Sequence, residues 1–206
     1  MDTTAASAPS SACAALLDAV QAVQGQGDEI RDPATGEVLG YAPQASTADL
    51  DAAVERARAA QREWAQKSHE QRSEVLNRAA DAIDAQASAL AELLSREQGK
   101  PIANGPNAAF EVGACSAWTR ATAAFPIEPE VIVDDDSGKA VMHWAPIGVV
   151  GAIGPWNWPM MISIWQIAPA LRMGNAIVVK PSEQTPLSVL ALAHVMNEVL
   201  PEGLLQ

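Results

Sequence analysis

Cysteine is scarce: the chain has 2 in 206 residues. Two thiols build no disulfide framework and no zinc-ligand spacing. Cys13 lies in an Ala/Ser-rich stretch and Cys115 in "EVGACSAW", which reads as helix. Both read as inert rather than catalytic. The histidines His69, His143 and His194 show no ligand spacing, so no metal is expected. Phe and Tyr number 2 and 1, which leaves an aliphatic core with 6 Trp. Basic residues are also few. With 13 Lys+Arg against 25 Asp+Glu, the formal net charge is -12. Nucleic acid is therefore not an expected partner, because phosphates need a basic face. No apolar run reaches membrane-spanning length, and "MDTTAASAPS" has no basic start for a signal peptide. The expectation is a cytoplasmic protein without a membrane partner. Two nucleotide motifs are missing as well. No G-x-x-x-x-G-K-[ST] occurs, and Gly148, Gly151 and Gly154 are spaced three apart, unlike G-x-G-x-x-G.

What remains is globular in composition, with 49% hydrophobic and 18% charged residues. Residues 1–27 read as a flexible Ala/Ser-rich tail, with a frayed helix in "CAALLDAVQAV". "DPATGEVLGYAP" (32–43) reads as a turn and a short strand. Ser46 with Asp49, and Ser68 with Gln71, look like capping boxes opening two helices. Leu50, Ala53, Val54, Ala57 and Trp64 carry helical spacing in the first. Val75 to Leu94 mark one face of a single long second helix, stopped at Gly99 and Pro101. A third helix is predicted over "NAAFEVGACSAWTRATAA". Residues 128–145 then read as a hairpin around Asp-Asp-Ser-Gly. Gly138 comes too early for a calcium loop, and a solvated turn is expected.

The last third alternates: "IGVVGAI", "MMISIWQIAPALRMG", "NAIVVK", "TPLSVLALAHVMNEVL". This is β-α-β-α, the pattern of a parallel sheet with crossover helices. "NAIVVK" is expected to be the outer strand, with an unpaired apolar edge. Ligands bind such sheets at the carboxyl ends of the strands. "GPWNWP" and "KPSEQTP" therefore share one rim. In the first, Pro155 and Pro159 restrict the backbone around Asn157, and Trp156 and Trp158 can pack against it. A fixed amide suits a carbonyl oxygen gaining negative charge. It equally suits a helix cap before Pro159. In the second, Glu183 can accept from a ribose diol and Lys180 can donate to it. By its own residues this loop reads more simply as solvated, with Ser182 or Thr185 as cap.

"DPATGEVLG", "LLSREQGKP", "APIGVVGAIGPWNWP", "APALRMGNAIVVKPSEQTPLSVLAL" and "LPEGLL" together resemble the aldehyde dehydrogenase superfamily, over roughly residues 28–206. The resemblance implies an α/β fold. Residues 28–127 would be the helical N-terminal part of a coenzyme-binding domain. Residues 128–145 would be an oligomerisation arm, and 146–206 the first part of a Rossmann-like NAD-binding sheet. It implies oxidation of an aldehyde to an acid with NAD(P), through a Cys thiohemiacetal and a Glu base. Asn157 matches the oxyanion donor. Ile153, Gly154, Pro155, Trp156 and Asn157 match cofactor positions, as do Lys180, Pro181, Ser182 and Glu183. Trp158, Met161, Ile162 and Trp165 match one wall of the substrate tunnel. NAD is expected over NADP, and a homo-oligomer (dimer or tetramer) in the complete protein. The nucleophile Cys, the base Glu and the later glycine motif have no counterpart here, nor does the catalytic domain. Gln166 stands where some members carry Lys. The chain is therefore expected to be a fragment, inactive alone. The competing expectation is a non-catalytic paralogue that binds nucleotide weakly or pairs with a full-length subunit.

Overall fold

The computed structural model describes residues 8–105 and 107–206. Helix α1 spans Ser11–Val20, and strands β1 (Gly27–Arg31) and β2 (Val38–Pro43) form an antiparallel pair. Four helices follow: α2 (Thr47–Trp64), α3 (His69–Ala85), α4 (Ala87–Gln98) and α5 (Ala108–Ala124). A hairpin of β3 (Glu130–Asp135) and β4 (Gly138–Met142) comes next. Then β5 (Val149–Ile153), α6 (Pro159–Arg172), β6 (Ala176–Lys180) and α7 (Pro186–Asn197) complete the β-α-β-α order.

Both capping boxes form. Ser46 accepts from the Asp49 N–H at 3.3 Å while Asp49 accepts from the Ser46 N–H at 2.8 Å. Ser68 and Gln71 reciprocate at 3.2 and 2.9 Å. Each box satisfies donors that a helix start leaves free. The single long helix expected through Leu94 is instead two. At Gln86 the N–H is shared between Ala82 O and Ile83 O (3.3 and 3.2 Å), a tightened turn that separates α3 from α4.

The tail expected to residue 27 does not extend that far. Residues 1–7 lie outside the described residues, but Ser10 caps α1 by accepting from the Cys13 N–H at 3.2 Å. Its own N–H donates to Glu92 at 3.1 Å. Cys13, Leu16 and Leu17, at helical spacing, enter the core. Strand β1 was not expected. In "GDEIR" only Ile30 is apolar, and it is the one buried residue of the strand.

Strands β5 and β6 pair in parallel, from Val149 opposite Ala176 to Ile153 opposite Lys180. The expected free edge of β6 is partly covered. Leu205 bridges to Ile177 in parallel, and Ile177 N–H donates to Leu204 O at 2.9 Å. Val179 N–H donates to Gln206 O at 2.8 Å. Helices α2 and α6 both pack on β5 and β6, while α5 packs against α3, α4 and α6. Ile164, Ile167, Leu171, Leu187, Leu192 and Ile177 join Leu76, Ile83, Leu90 and Leu94 in one core. The hairpin stands apart, with every residue of β3 exposed. Its turn is closed by Asp135, which accepts from the Ser137 N–H at 2.8 Å. Among the described residues no group of acidic, His or Cys side chains could hold a metal ion, and no helix is long and apolar enough to cross a membrane.

Candidate active-site rim

The carboxyl ends of β5 and β6 lie side by side. Pairing runs one step past the strands, where Gly154 N–H donates to Lys180 O at 3.0 Å. A Cβ at Gly154 would stand 3.0 Å from Ser163 Oγ, so glycine lets the strand end pass close to α6. Both rim stretches therefore leave the sheet at one place, as the sequence pattern predicts.

Beyond Gly154, Pro155 is half-buried, Trp156 and Asn157 are exposed, and Trp158 is half-buried as the residue preceding α6. Asn157 does not cap that helix. The N-cap is Trp158, and no side chain of the N-cap serves the first turn. The free N–H groups are taken from a distance by Glu111 of α5. Its Oε1 accepts from Met160 (2.9 Å) and Met161 (3.2 Å). Glu111 is wholly buried, and its Oε2 accepts from Lys100 Nζ at 2.5 Å. Lys100 Nζ also donates to Asn157 O at 3.1 Å and stands 3.8 Å from the Trp158 ring centroid. Gln98 Nε2 donates to both Trp156 O and Asn157 O at 2.8 Å. The peptide around Asn157 is thus held by two side chains. No hydrogen bond from the described residues engages its side-chain amide.

The second stretch repeats the arrangement. Thr185 precedes α7 and Pro186 opens it, again with no side-chain cap. The free N–H groups of Leu187 and Ser188 go to Glu97 of α4, at 2.6 and 3.0 Å. Thr185 stands at the N-cap position but its side chain makes no cap bond, and Ser182 does not cap the helix. Ser182 Oγ accepts instead from Gln184 N–H at 3.3 Å, and Thr185 Oγ1 is buried without a partner among the described residues. Burial pushes the Glu97 carboxyl up to about 7. On the solvent side, Lys180 Nζ donates to Glu183 Oε1 at 3.1 Å and to Pro181 O at 2.9 Å. Glu183's own backbone N–H and then the Lys180 ammonium hold its carboxyl below the ordinary range, so it is an anion at neutral pH.

Trp158 before α6, and Met161 and Ile162 on it, are half-buried, while Trp165 is exposed. Sequence reasoning missed their neighbours on α5. Phe110 meets Trp158 edge-on at 6.0 Å, and Trp118 meets Trp165 at 5.6 Å. Phe110 and Trp118 are two helical turns apart and both remain exposed. Two exposed aromatics at that spacing were the available signal. Gln166 Nε2 donates to Ile153 O at 3.2 Å, a tie between α6 and the strand end.

Neither thiol approaches this rim chemistry. Cys13 and Cys115 are fully buried. Burial, then the Glu92 charge, raises Cys13 to about 11. Burial, then the Glu111 charge, raises Cys115 well above the usual thiol range. A buried neutral thiol is a poor nucleophile.

The model of the aldehyde dehydrogenase family matches residues 20–206. The chain belongs to the aldehyde dehydrogenase family. Its fold is part of the fold of solved family members. An aldehyde dehydrogenase from Bacillus cereus, solved as a point mutant, is 31% identical with a TM-score of 0.87, matching 96% of this chain and 43% of its own. An NAD-dependent benzaldehyde dehydrogenase from Corynebacterium glutamicum is 32% identical, with a TM-score of 0.80 over 90% of this chain and 41% of its own. An NADP-dependent enzyme of Escherichia coli is 29% identical, with a TM-score of 0.83 over 90% and 39%. The chain spans about two fifths of the length of these three solved proteins.

Proposed function

We propose that this chain is the N-terminal, coenzyme-side part of an NAD(P)-dependent aldehyde dehydrogenase, which oxidises an aldehyde to a carboxylic acid. The observation that carries the proposal is the Asn157 amide. It makes no hydrogen bond among the described residues, lies beyond the end of β5, and its peptide is pinned by Gln98 at the end of α4 and by Lys100 just after it. When a thiolate adds to an aldehyde, the carbonyl oxygen takes on negative charge. Donors already in place stabilise that charge without reorganising. The ring pairs Phe110–Trp158 and Trp118–Trp165 support reading Trp158, Met161, Ile162 and Trp165 as an apolar wall for the substrate. Such a wall suits an uncharged aldehyde.

The rim fits the adenosine end of a nicotinamide dinucleotide. Ile153 and Trp156 expose apolar surface. Lys180, the last residue of β6, and Glu183, in the turn closed by Thr185 N–H donating to Ser182 O at 3.2 Å, supply a donor and an acceptor for a ribose diol, with Pro181 and Ser182 between them. Gly154 and Pro155 bring the strand end beneath them. When bound, the dinucleotide supplies the acceptor for the hydride leaving the aldehyde carbon. The Glu183 anion disfavours a 2′-phosphate, which ranks NAD above NADP.

The nucleophile comes from outside these residues, because both thiols here are buried and neutral. Residues 1–206 alone therefore do not oxidise aldehydes. Reduced-nicotinamide absorbance with NAD, NADP and several aldehydes tests this, and turnover abolished by Cys115→Ala overturns it. In the enzyme carrying the thiolate, Asn157→Ala lowers kcat about 10²–10³-fold. An unchanged kcat removes Asn157 from the oxyanion site.

The exposed hairpin supports a second reading, in which the chain acts by association. Val131, Ile132 and Val133 are exposed apolar residues on a two-stranded sheet. They suit pairing with a further strand, in a homo-oligomer or as a non-catalytic partner of a full-length subunit. Light scattering of the chain alone and mixed with a full-length subunit separates these cases.

A further inference from the structure

Gly99 ends α4 in the left-handed conformation, with φ 79°. The residues on either side of it turn towards one backbone segment. Gln98 Nε2 holds the carbonyls of Trp156 and Asn157, each at 2.8 Å. Lys100 Nζ holds the Asn157 carbonyl at 3.1 Å and the Glu111 carboxylate at 2.5 Å. Glu111 in turn holds the first turn of α6. One residue earlier, Glu97 holds the first turn of α7. Three residues around Gly99, namely Glu97, Gln98 and Lys100, thus reach the starts of both crossover helices, directly or through Glu111.

The prolines of "GPWNWP" cannot do this alone. Pro155 and Pro159 fix their own φ angles, and they restrict the residues before them, Gly154 and Trp158. The backbones of Trp156 and Asn157 remain unrestrained. Those two carbonyls are the ones that Gln98 grips, and Lys100 adds a charged donor to the second. Holding the Asn157 carbonyl fixes its ψ, and with it the base from which the side-chain amide projects.

We infer that Gln98 and Lys100 are positioning residues that set the direction of the Asn157 amide. The inference rests on the proposed role of Asn157, but its test reads geometry rather than turnover. The probe is ¹⁵N relaxation of the Trp158 backbone N–H, which shares the Asn157 carbonyl peptide, and of the Asn157 side-chain NH₂. Thermal melts run beside it on the 206-residue chain and on Gln98→Ala, Lys100→Met and Lys100→Arg. The order parameter at Trp158 falls from about 0.85 to below about 0.6 in Gln98→Ala and Lys100→Met. Amides in α3 and α5 keep their values, and Lys100→Arg, which retains a charged donor, restores order. Should Lys100→Met fail to fold, the half-buried Gln98, which carries no charge, gives the same test alone. Unchanged order at residues 157–158 in Gln98→Ala overturns the inference. So does a loss spread evenly over the chain, which marks a purely structural role. Loosened order in the variants together with an unchanged kcat in Asn157→Ala would remove the catalytic reading and leave the clamp standing.

Discussion

The two crossover helices solve one problem in two electrostatic settings. Each opens on a proline, lacks a side-chain cap of its own, and hands its first N–H groups to a buried glutamate from an earlier helix. For α6 the glutamate is Glu111, paired with Lys100. For α7 it is Glu97, and among the described residues no cation pairs with it. Burial of a carboxylate is costly, and an ammonium offsets part of that cost. The difference lies where function would place it. The cation sits beside Asn157, where it can also grip a carbonyl. At α7 two N–H groups suffice to hold the start of the helix, while the Lys180–Glu183 pair remains outside, in solvent.

The largest effect expected from breaking this comparison is at the paired site. Glu111→Ala leaves Lys100 nearly buried without its carboxylate and two helix N–H groups without an acceptor. Loss of one partner of a buried pair costs about 3–5 kcal/mol, read as a fall in the urea midpoint. A loss below that of Glu97→Ala would show that Lys100 contributes nothing.

Next comes pH. The Glu97 carboxyl rises on folding from the ordinary 4.5 to about 7. A carboxyl raised by folding favours the protonated native state, so its cost is absent below about 4.5. The cost grows between there and 7 and is complete above 7. At full size it is on the order of 3 kcal/mol. The Tm of the native sequence should fall from pH 5 to pH 8 relative to that of Glu97→Gln, whose side chain does not titrate. Parallel Tm curves for the two would show that the two N–H groups hold Glu97 ionised throughout.

The smallest effect belongs to the exposed pair. Lys180→Ala and Glu183→Ala should each leave the Tm nearly unchanged, as solvent-screened surface substitutions do. On the role proposed for Glu183, Glu183→Ala should nonetheless raise the efficiency with NADP relative to NAD in the enzyme carrying the thiolate. A melting shift as large as that of Glu97→Ala would place Glu183 in the frame rather than at the ligand.

Local signals were legible and distant ones were not. Ser46 with Asp49 and Ser68 with Gln71 announce their helices because each box closes within four residues. The alternation from Ile147 onward gives the parallel pair and puts "GPWNWP" and "KPSEQTP" on one rim. Glu97 and Glu111 carry no such mark. Their partners lie 90 and 49 residues away in the chain, and each sits on a helix whose period gives it no special place. For the same reason Ser182, Thr185 and Asn157, the near candidates for caps, were the natural reading. The break at Gln86 replaces one helical bond by a shared one and leaves the apolar spacing intact. The pairing of Leu204–Gln206 with β6 rests on three residues, too few for a period. Helix α1 was legible as a helix in "CAALLDAVQAV", but the Ala and Ser composition around it hid that Cys13, Leu16 and Leu17 enter the core.

The most direct test of the account is a titration of the ¹⁵N-labelled chain with NAD, followed by its amide and indole resonances. Millimolar affinity is enough to observe. The account predicts shifts confined to one rim: the Ile153 amide, the Trp156 indole, and the amides of Lys180, Ser182 and Glu183. Absence of shifts at millimolar NAD, or shifts that saturate elsewhere while this rim stays silent, would contradict it.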